Sequence, residues 1–162
     1  MMSYILALIT GLPGLVLGIN LAGSAALPAE PAFLQARCDQ DFPEAMSFLQ
    51  NSIRQRGYTI SRVQHVDKGL KQRGYQSLKY KVVFFGKADE IDDIRLHYPQ
   101  LLPYIPLSIT ITQQERFNII SGLRPKKLAA MFTSRLPMDF FERWEKDFNY
   151  IFARYNKCSE SS

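Results

Sequence analysis

The chain is expected to be an α+β protein: a two-layer structure with helices packed on one face of a sheet, plus a C-terminal amphipathic helix. Short runs rich in β-branched and aromatic residues, such as Lys81-Val82-Val83-Phe84-Phe85 and Leu107-Ser108-Ile109-Thr110-Ile111-Thr112, are bounded by Gly or Pro and read as strands. Between them lie segments whose apolar residues recur every three or four positions, the period of an amphipathic helix. The part of the chain that carries charge is about 130 residues long, enough for one compact domain with a single core.

The first element is a leader. Met1 to Ala26 has no charged side chain, so all 20 Lys and Arg and all 15 Asp and Glu lie in residues 27–162. Tyr4 to Leu27 is a stretch of about 20 largely apolar residues, long enough to span a bilayer. Ser24 and Ala26 occupy the −3 and −1 positions of a signal-peptidase site, which predicts a signal peptide over 1–26 cut after Ala26. Met1-Met2-Ser3 supplies no basic n-region, so a membrane anchor retained over residues 4–26 is the competing reading. Lipid attachment at Cys38 is disfavoured by Arg37 immediately before it. Both leader readings place the domain in the periplasm or another extracytoplasmic space, free or tethered. Residues 27–32 form a Pro-containing linker.

Asp41-Phe42-Pro43-Glu44 opens a helix, with capping-box spacing between Asp41 and Glu44 and a proline tolerated in the first turn. Phe42, Ala45, Met46, Leu49 and Ile53 give its apolar face, and Arg56-Gly57 ends it. Tyr58 to Val63 reads as a strand. Asp67 is expected to cap a short helix carrying Leu70 and ending at Gly74. Leu78 to Phe85 is a strand that enters the core, and Ala88 to His97 a helix stopped by Tyr98-Pro99. Tyr104–Thr112 and Arg116–Ser121 are two strands joined closely enough for a hairpin. Gly122 and Pro125 break the pattern before a short helix, Lys126 to Phe132. The last helix, from Pro137 to Tyr155, carries the stripe Phe141, Trp144, Phe148, Ile151, Tyr155 and must cover an apolar surface.

This order of elements, with Arg56-Gly57-Tyr58 closing the first helix, the Asp67-led helix with Leu70-Lys71, the strand ending at Gly86 and Tyr104-Ile105-Pro106-Leu107 opening a later strand, resembles the domain of unknown function 302 family. The resemblance covers roughly Phe33 to Phe132, which divides the chain into a family domain over 33–135 and a helix and tail over 136–162. It implies a small α+β domain, often dimeric, without established catalytic residues. Many such relatives carry a Cys just after the proline that begins the late strand. Here Tyr104 follows Pro103 and Leu107 follows Pro106, so thiol chemistry is not expected at that place.

Few residues offer chemistry. His65 and Asp67 are the one possible general-base pair, weighed against ordinary capping or surface duty, which is the preferred account. His97, near a helix C-terminus, suits the dipole there. Asp89, Glu90, Asp92 and Asp93 are acids in the first turns of a helix, where acids are expected, and predict no metal site. No cofactor is expected, since phosphate-loop, Gly-x-Ser-x-Gly and Cys-x-x-Cys motifs are missing from the sequence. Cys38 and Cys158 bracket the domain and are expected to pair in an oxidising compartment.

The net charge is +5 and the pI about 9.3. Lys68, Lys71, Arg73, Lys79, Lys81 and Lys87 form the candidate binding patch, with Arg124, Lys126 and Lys127 a second group. Export argues against nucleic acid as the partner, and Tyr75, Tyr80 and Phe84 are assigned to core and sheet. An anionic membrane surface suits the patch better. The aromatic-rich last helix makes a homodimer a further expectation. The function expected is therefore a non-catalytic binding or assembly module of the cell envelope, its partner an anionic membrane surface or a small ligand, with an exported enzyme using His65 and Asp67, or envelope-surface association through the basic patch, as alternatives.

Overall fold

The computed structural model describes residues 30–132 and 136–160. The leader and the cleavage site expected after Ala26 lie outside the described residues. The chain divides into two compact units, Met1–Glu30 and Pro31–Ser162, and every element below belongs to the second. In chain order these are β1 (Phe33–Cys38), α1 (Phe42–Gln55), β2 (Thr59–His65), α2 (Val66–Gln72), β3 (Tyr80–Gly86) and α3 (Ala88–His97). A 3-10 segment (Pro99–Tyr104) leads to β4 (Leu107–Gln113), β5 (Asn118–Leu123), α4 (Pro125–Ala129) and α5 (Met138–Tyr155).

The strands form one antiparallel sheet in the order β1-β5-β4-β3-β2, so the protein has the α+β class expected of it. Register places Val83 opposite Ile109, Ile111 opposite Ile120 and Ile120 opposite Ala36, which puts these residues on one face. With Phe85 and Leu107 they are buried and form a single core with α1 and α5. The alternate residues, including Val82, Phe84, Thr110, Thr112, Ile119 and Ser121, stay half-buried on the second face. Period-two alternation in β4 is thus one-sided burial.

The last helix is central to that core. Phe141, Trp144, Phe148, Ile151, Phe152 and Tyr155 are all buried, so the aromatic stripe is intramolecular. Phe148 lies 5.9 Å from Phe85, ring to ring, and Phe152 packs 6.1 Å from Phe148. Gly122 makes this approach possible: a Cβ there would meet Phe148 at 3.1 Å and Phe152 at 3.2 Å. It is therefore a buried residue inside β5, not the break in the strand that its type implied.

Polar residues of α5 reach three other elements. Trp144 donates its indole N–H to Glu90 of α3 at 2.7 Å. Glu145 accepts from the Arg124 guanidinium and, at 3.2 Å, from the backbone N–H of Lys126, holding the start of α4. Asp147 takes the Arg56 guanidinium at 2.6 Å and the Tyr58 hydroxyl at 2.8 Å. Glu90, Glu145 and Asp147 are buried, and each has an arginine partner, Arg143 serving Glu90 at 2.8 Å. Such pairing is what makes a buried carboxylate tolerable.

Cys38 and Cys158 are joined as expected, across a sequence separation of 120 and a Cα–Cα distance of 5.7 Å, both fully buried. The bond ties the end of β1 to the turn after α5.

Several local expectations need correction. β1 had not been foreseen; it is a six-residue edge strand, Phe-Leu-Gln-Ala-Arg-Cys, that forms only by pairing with β5. Asp41 stands at the N-cap of α1 but makes no side-chain capping bond. α2 starts at Val66, with His65 rather than Asp67 at its N-cap, and Asp67 is turned inward. Pro103 and Pro106 delay the start of β4 to Leu107, because a 3-10 turn occupies Pro99–Tyr104.

Candidate functional site

The start of β4 and the end of β5 line a pocket of about 260 Å³ together with the Pro103–Pro106 segment. Leu107, Leu123, Leu128 and Phe148 supply aliphatic and aromatic walls, and Phe84 closes one side. The Ile105–Pro106 peptide is cis, and the Tyr104 ring sits edge-on to Phe132 at 5.6 Å. Polar character comes from the Ser108 hydroxyl, the Tyr104 phenol and backbone groups; the described residues that line the pocket include no ionisable acid or base other than that phenol. A concave, mostly apolar site with a few hydrogen-bonding groups can seat a small uncharged ligand, or the uncharged part of a larger one. The two residues that follow the prolines, Tyr104 and Leu107, both line it.

A second, wider cavity of about 390 Å³ lies between the starts of α3 and α5, lined by Lys87, Asp89, Glu90, Asp93, Phe140 and Arg143. Its buried carboxylate is already occupied: Glu90 meets Trp144, Arg143 and, at 3.6 Å, Lys87. Among the described residues no group of three or more His, Cys, Asp or Glu side chains could hold a metal ion.

Residues 34–139 match the family described as domain of unknown function DUF302. The chain belongs to the DUF302 family. An uncharacterized conserved DUF302 protein from Bacillus stearothermophilus, known from a crystal structure, shares its fold with a TM-score of 0.66 at 16% identity. The alignment covers 76% of this chain and 97% of that one. Comparison with curated protein sequences gives no match. The DUF302 match ends at the second residue of α5, although α5 supplies six large side chains to the core.

The expected site residues fall at several places on this DUF302 domain. His65 and Asp67 lie at the β2–α2 junction, and His65 pairs with Lys81 in the sheet register, at the opposite end of β3 from Phe84 and the pocket. His65 Nδ1 and Asp67 Oδ1 are buried and each lacks a hydrogen-bond partner, so this carboxylate oxygen does not orient this ring nitrogen. His97 donates its Nδ1–H to an Asp93 carboxylate oxygen at 2.8 Å on its own helix. Within the basic patch, Lys68, Lys71, Arg73 and Lys79 are exposed around α2 and the loop after it. Lys79 and Lys81 place their ammonium groups 5.5 and 5.1 Å from the Phe42 ring centre. Lys87 is at the far end of β3, 4.9 Å above the Tyr58 ring and paired with Glu90. The six cations are therefore not one patch: β3 separates Lys87 from the rest.

The Asp147 cluster also sets the acidity of its tyrosine. Burial, then the hydrogen bond to Asp147 and the charge of that carboxylate, push the Tyr58 phenol well above its ordinary 10.0. Burial alone does the same to Tyr155. Sequence reading missed the pocket, since its lining comes from segments scattered between Phe84 and Phe148; the one local signal was the Pro-rich approach to β4.

Proposed function

We propose that this DUF302 protein is a non-catalytic binding module of the cell envelope that takes a small, largely uncharged ligand in the pocket below Tyr104 and Pro106. The observation that carries the reading is the composition of that pocket: apolar walls, a serine hydroxyl and a phenol, with His65 and Asp67 at the other end of the strands. Such a lining favours burial of an apolar body and offers little for proton transfer at neutral pH. The envelope location is supported by the charge-free Met1–Ala26 segment and by a buried disulfide, a bond rare in reducing compartments.

The neutral dye N-phenylnaphthylamine fits the pocket in size and polarity and serves as the probe. Its fluorescence is expected to rise on addition of the full chain, with a dissociation constant on the order of micromolar. Ser108→Trp and Leu123→Trp, which fill the pocket from two strands, should each weaken binding at least about tenfold, a difference of about 1.4 kcal/mol, while leaving circular dichroism unchanged. Dye binding that survives both substitutions at full strength rejects the pocket as the site.

A further inference from the structure

Six cations, Lys68, Lys71, Arg73, Lys79, Lys81 and Lys87, fall between Lys68 and Lys87, a stretch without a single Asp or Glu. The loop between α2 and β3 adds something that charge alone does not show. Tyr75 is 63% exposed and Leu78 62%, among the most exposed large apolar side chains of the described residues. The assignment of Tyr75 to the core is thereby overturned.

The loop has a defined frame. Gly74, at φ +84, reverses the chain after α2, in a conformation that a side chain at this position would resist. The backbone N–H groups of Arg73 and Tyr75 both bond to Leu70 O, at 3.0 and 3.1 Å, which ties the loop to the helix. At the other end Lys79 O accepts from Gln113 N at 2.9 Å, tying the loop to β4, and the Ser77 hydroxyl bonds Leu78 O at 2.9 Å. Tyr75 and Leu78 are thus held out in water by a loop fixed at both ends. Lys68, Lys71, Arg73 and Lys79 surround them, all exposed. The carboxylate on α2 that could offset them, Asp67, is buried.

We propose that this loop is a membrane-docking tip whose occupant is an anionic bilayer surface: Tyr75 and Leu78 enter the headgroup boundary while Lys68, Lys71, Arg73 and Lys79 meet acidic headgroups. Charge complementarity selects an anionic partner, and each cation near such a surface contributes about a fivefold gain in affinity. The apolar pair selects lipid over nucleic acid. Leucine has no ring on which a base can stack, whereas tyrosine and leucine both gain by leaving water at an interface. The tip lies at the end of β3 remote from the ligand pocket, so the proposal does not depend on the pocket reading.

A local reporter tests docking whether or not the leader also holds the chain on lipid. Trp144, the single tryptophan, is buried, so Leu78→Trp introduces the one exposed indole. On vesicles of phosphatidylglycerol and phosphatidylcholine its emission should move to the blue and be quenched by brominated acyl chains. Vesicles of phosphatidylcholine alone, or about 1 M salt, which shortens the screening length to roughly 3 Å, should abolish the response. Adding Lys71→Gln and Arg73→Gln should weaken it about 25-fold. A control indole at Tyr150→Trp, on α5, should not respond. An unmoved emission on anionic vesicles, an equal response from the control, or a shift produced by a DNA oligonucleotide but not by vesicles each overturns the proposal.

Discussion

On the face of the sheet that meets α1 and α5, Val83, Phe85, Ile109, Ile111 and Ile120 are fully buried; on the other face Val82, Thr110, Thr112 and Ser121, from the same three strands, are only half-buried. The covered face also recruits three buried carboxylates, Glu90, Glu145 and Asp147, through Trp144, Glu145 and Asp147, about one turn of a single helix tied to α3, α4 and the α1–β2 turn. The open face relies on cross-strand contacts, such as Thr110 Oγ1 donating to Ser121 O at 3.1 Å. Stability is therefore concentrated on one side of a sheet about as thick as one residue.

The sharpest way to break this contrast is to cut the covalent tie beneath the covered face. Replacing Cys38 and Cys158 together by Ser should lower unfolding stability by up to about 5 kcal/mol, the loop-entropy value for a closure of this length. Urea denaturation of oxidised protein and double variant would measure it, and equal midpoints would mean that the bridge adds nothing.

Next in size is a pair of substitutions on the two faces. Phe148→Ala should cost about 3–5 kcal/mol through a cavity between α5 and the sheet. Thr110→Ala, one strand layer away, should stay within about 1 kcal/mol, since its loss is one half-buried hydrogen bond and a methyl group. Comparable losses at both sites would show that the second face is covered in solution.

The smallest effect is on pH dependence. Tyr58 and Tyr155 have folded pKa values raised above 10.0, so both states bind these protons below pH 10 and their contribution is then intact. As pH rises above 10 the unfolded chain loses them first, and stability should fall by about 1.4 kcal/mol per unit for each buried phenol. Tyr58→Phe should reduce that slope by about half. A slope unchanged in the variant would remove Tyr58 as a cause.

How much of this was legible in the sequence follows from the range over which each signal acts. α3 was read with its bounds, and α5 within one residue, because helical period and flanking prolines are local. The disulfide was legible because two cysteines admit one pairing. β1 was not, since Phe33-Leu34-Gln35-Ala36-Arg37-Cys38 becomes a strand only against β5, about 85 residues away by register. Four acids at the start of α3 looked alike in sequence, and only packing against Trp144 and Arg143 turns Glu90 inward. The same holds for Asp67 and for the exposure of Tyr75: residue type cannot report the side to which a short helix or loop is turned. The basic run was legible, but its division by β3 was not.

The bond between Cys38 and Cys158 also decides how the domain bears mechanical load. Tension entering through the chain before Cys38 and leaving through the chain after Cys158 crosses a single sulfur bridge. Residues 39–157, which hold both helices of the core and four of the five strands, form a closed ring outside that line of force. Pulling on the two ends can strip β1 from the sheet but cannot unravel the rest.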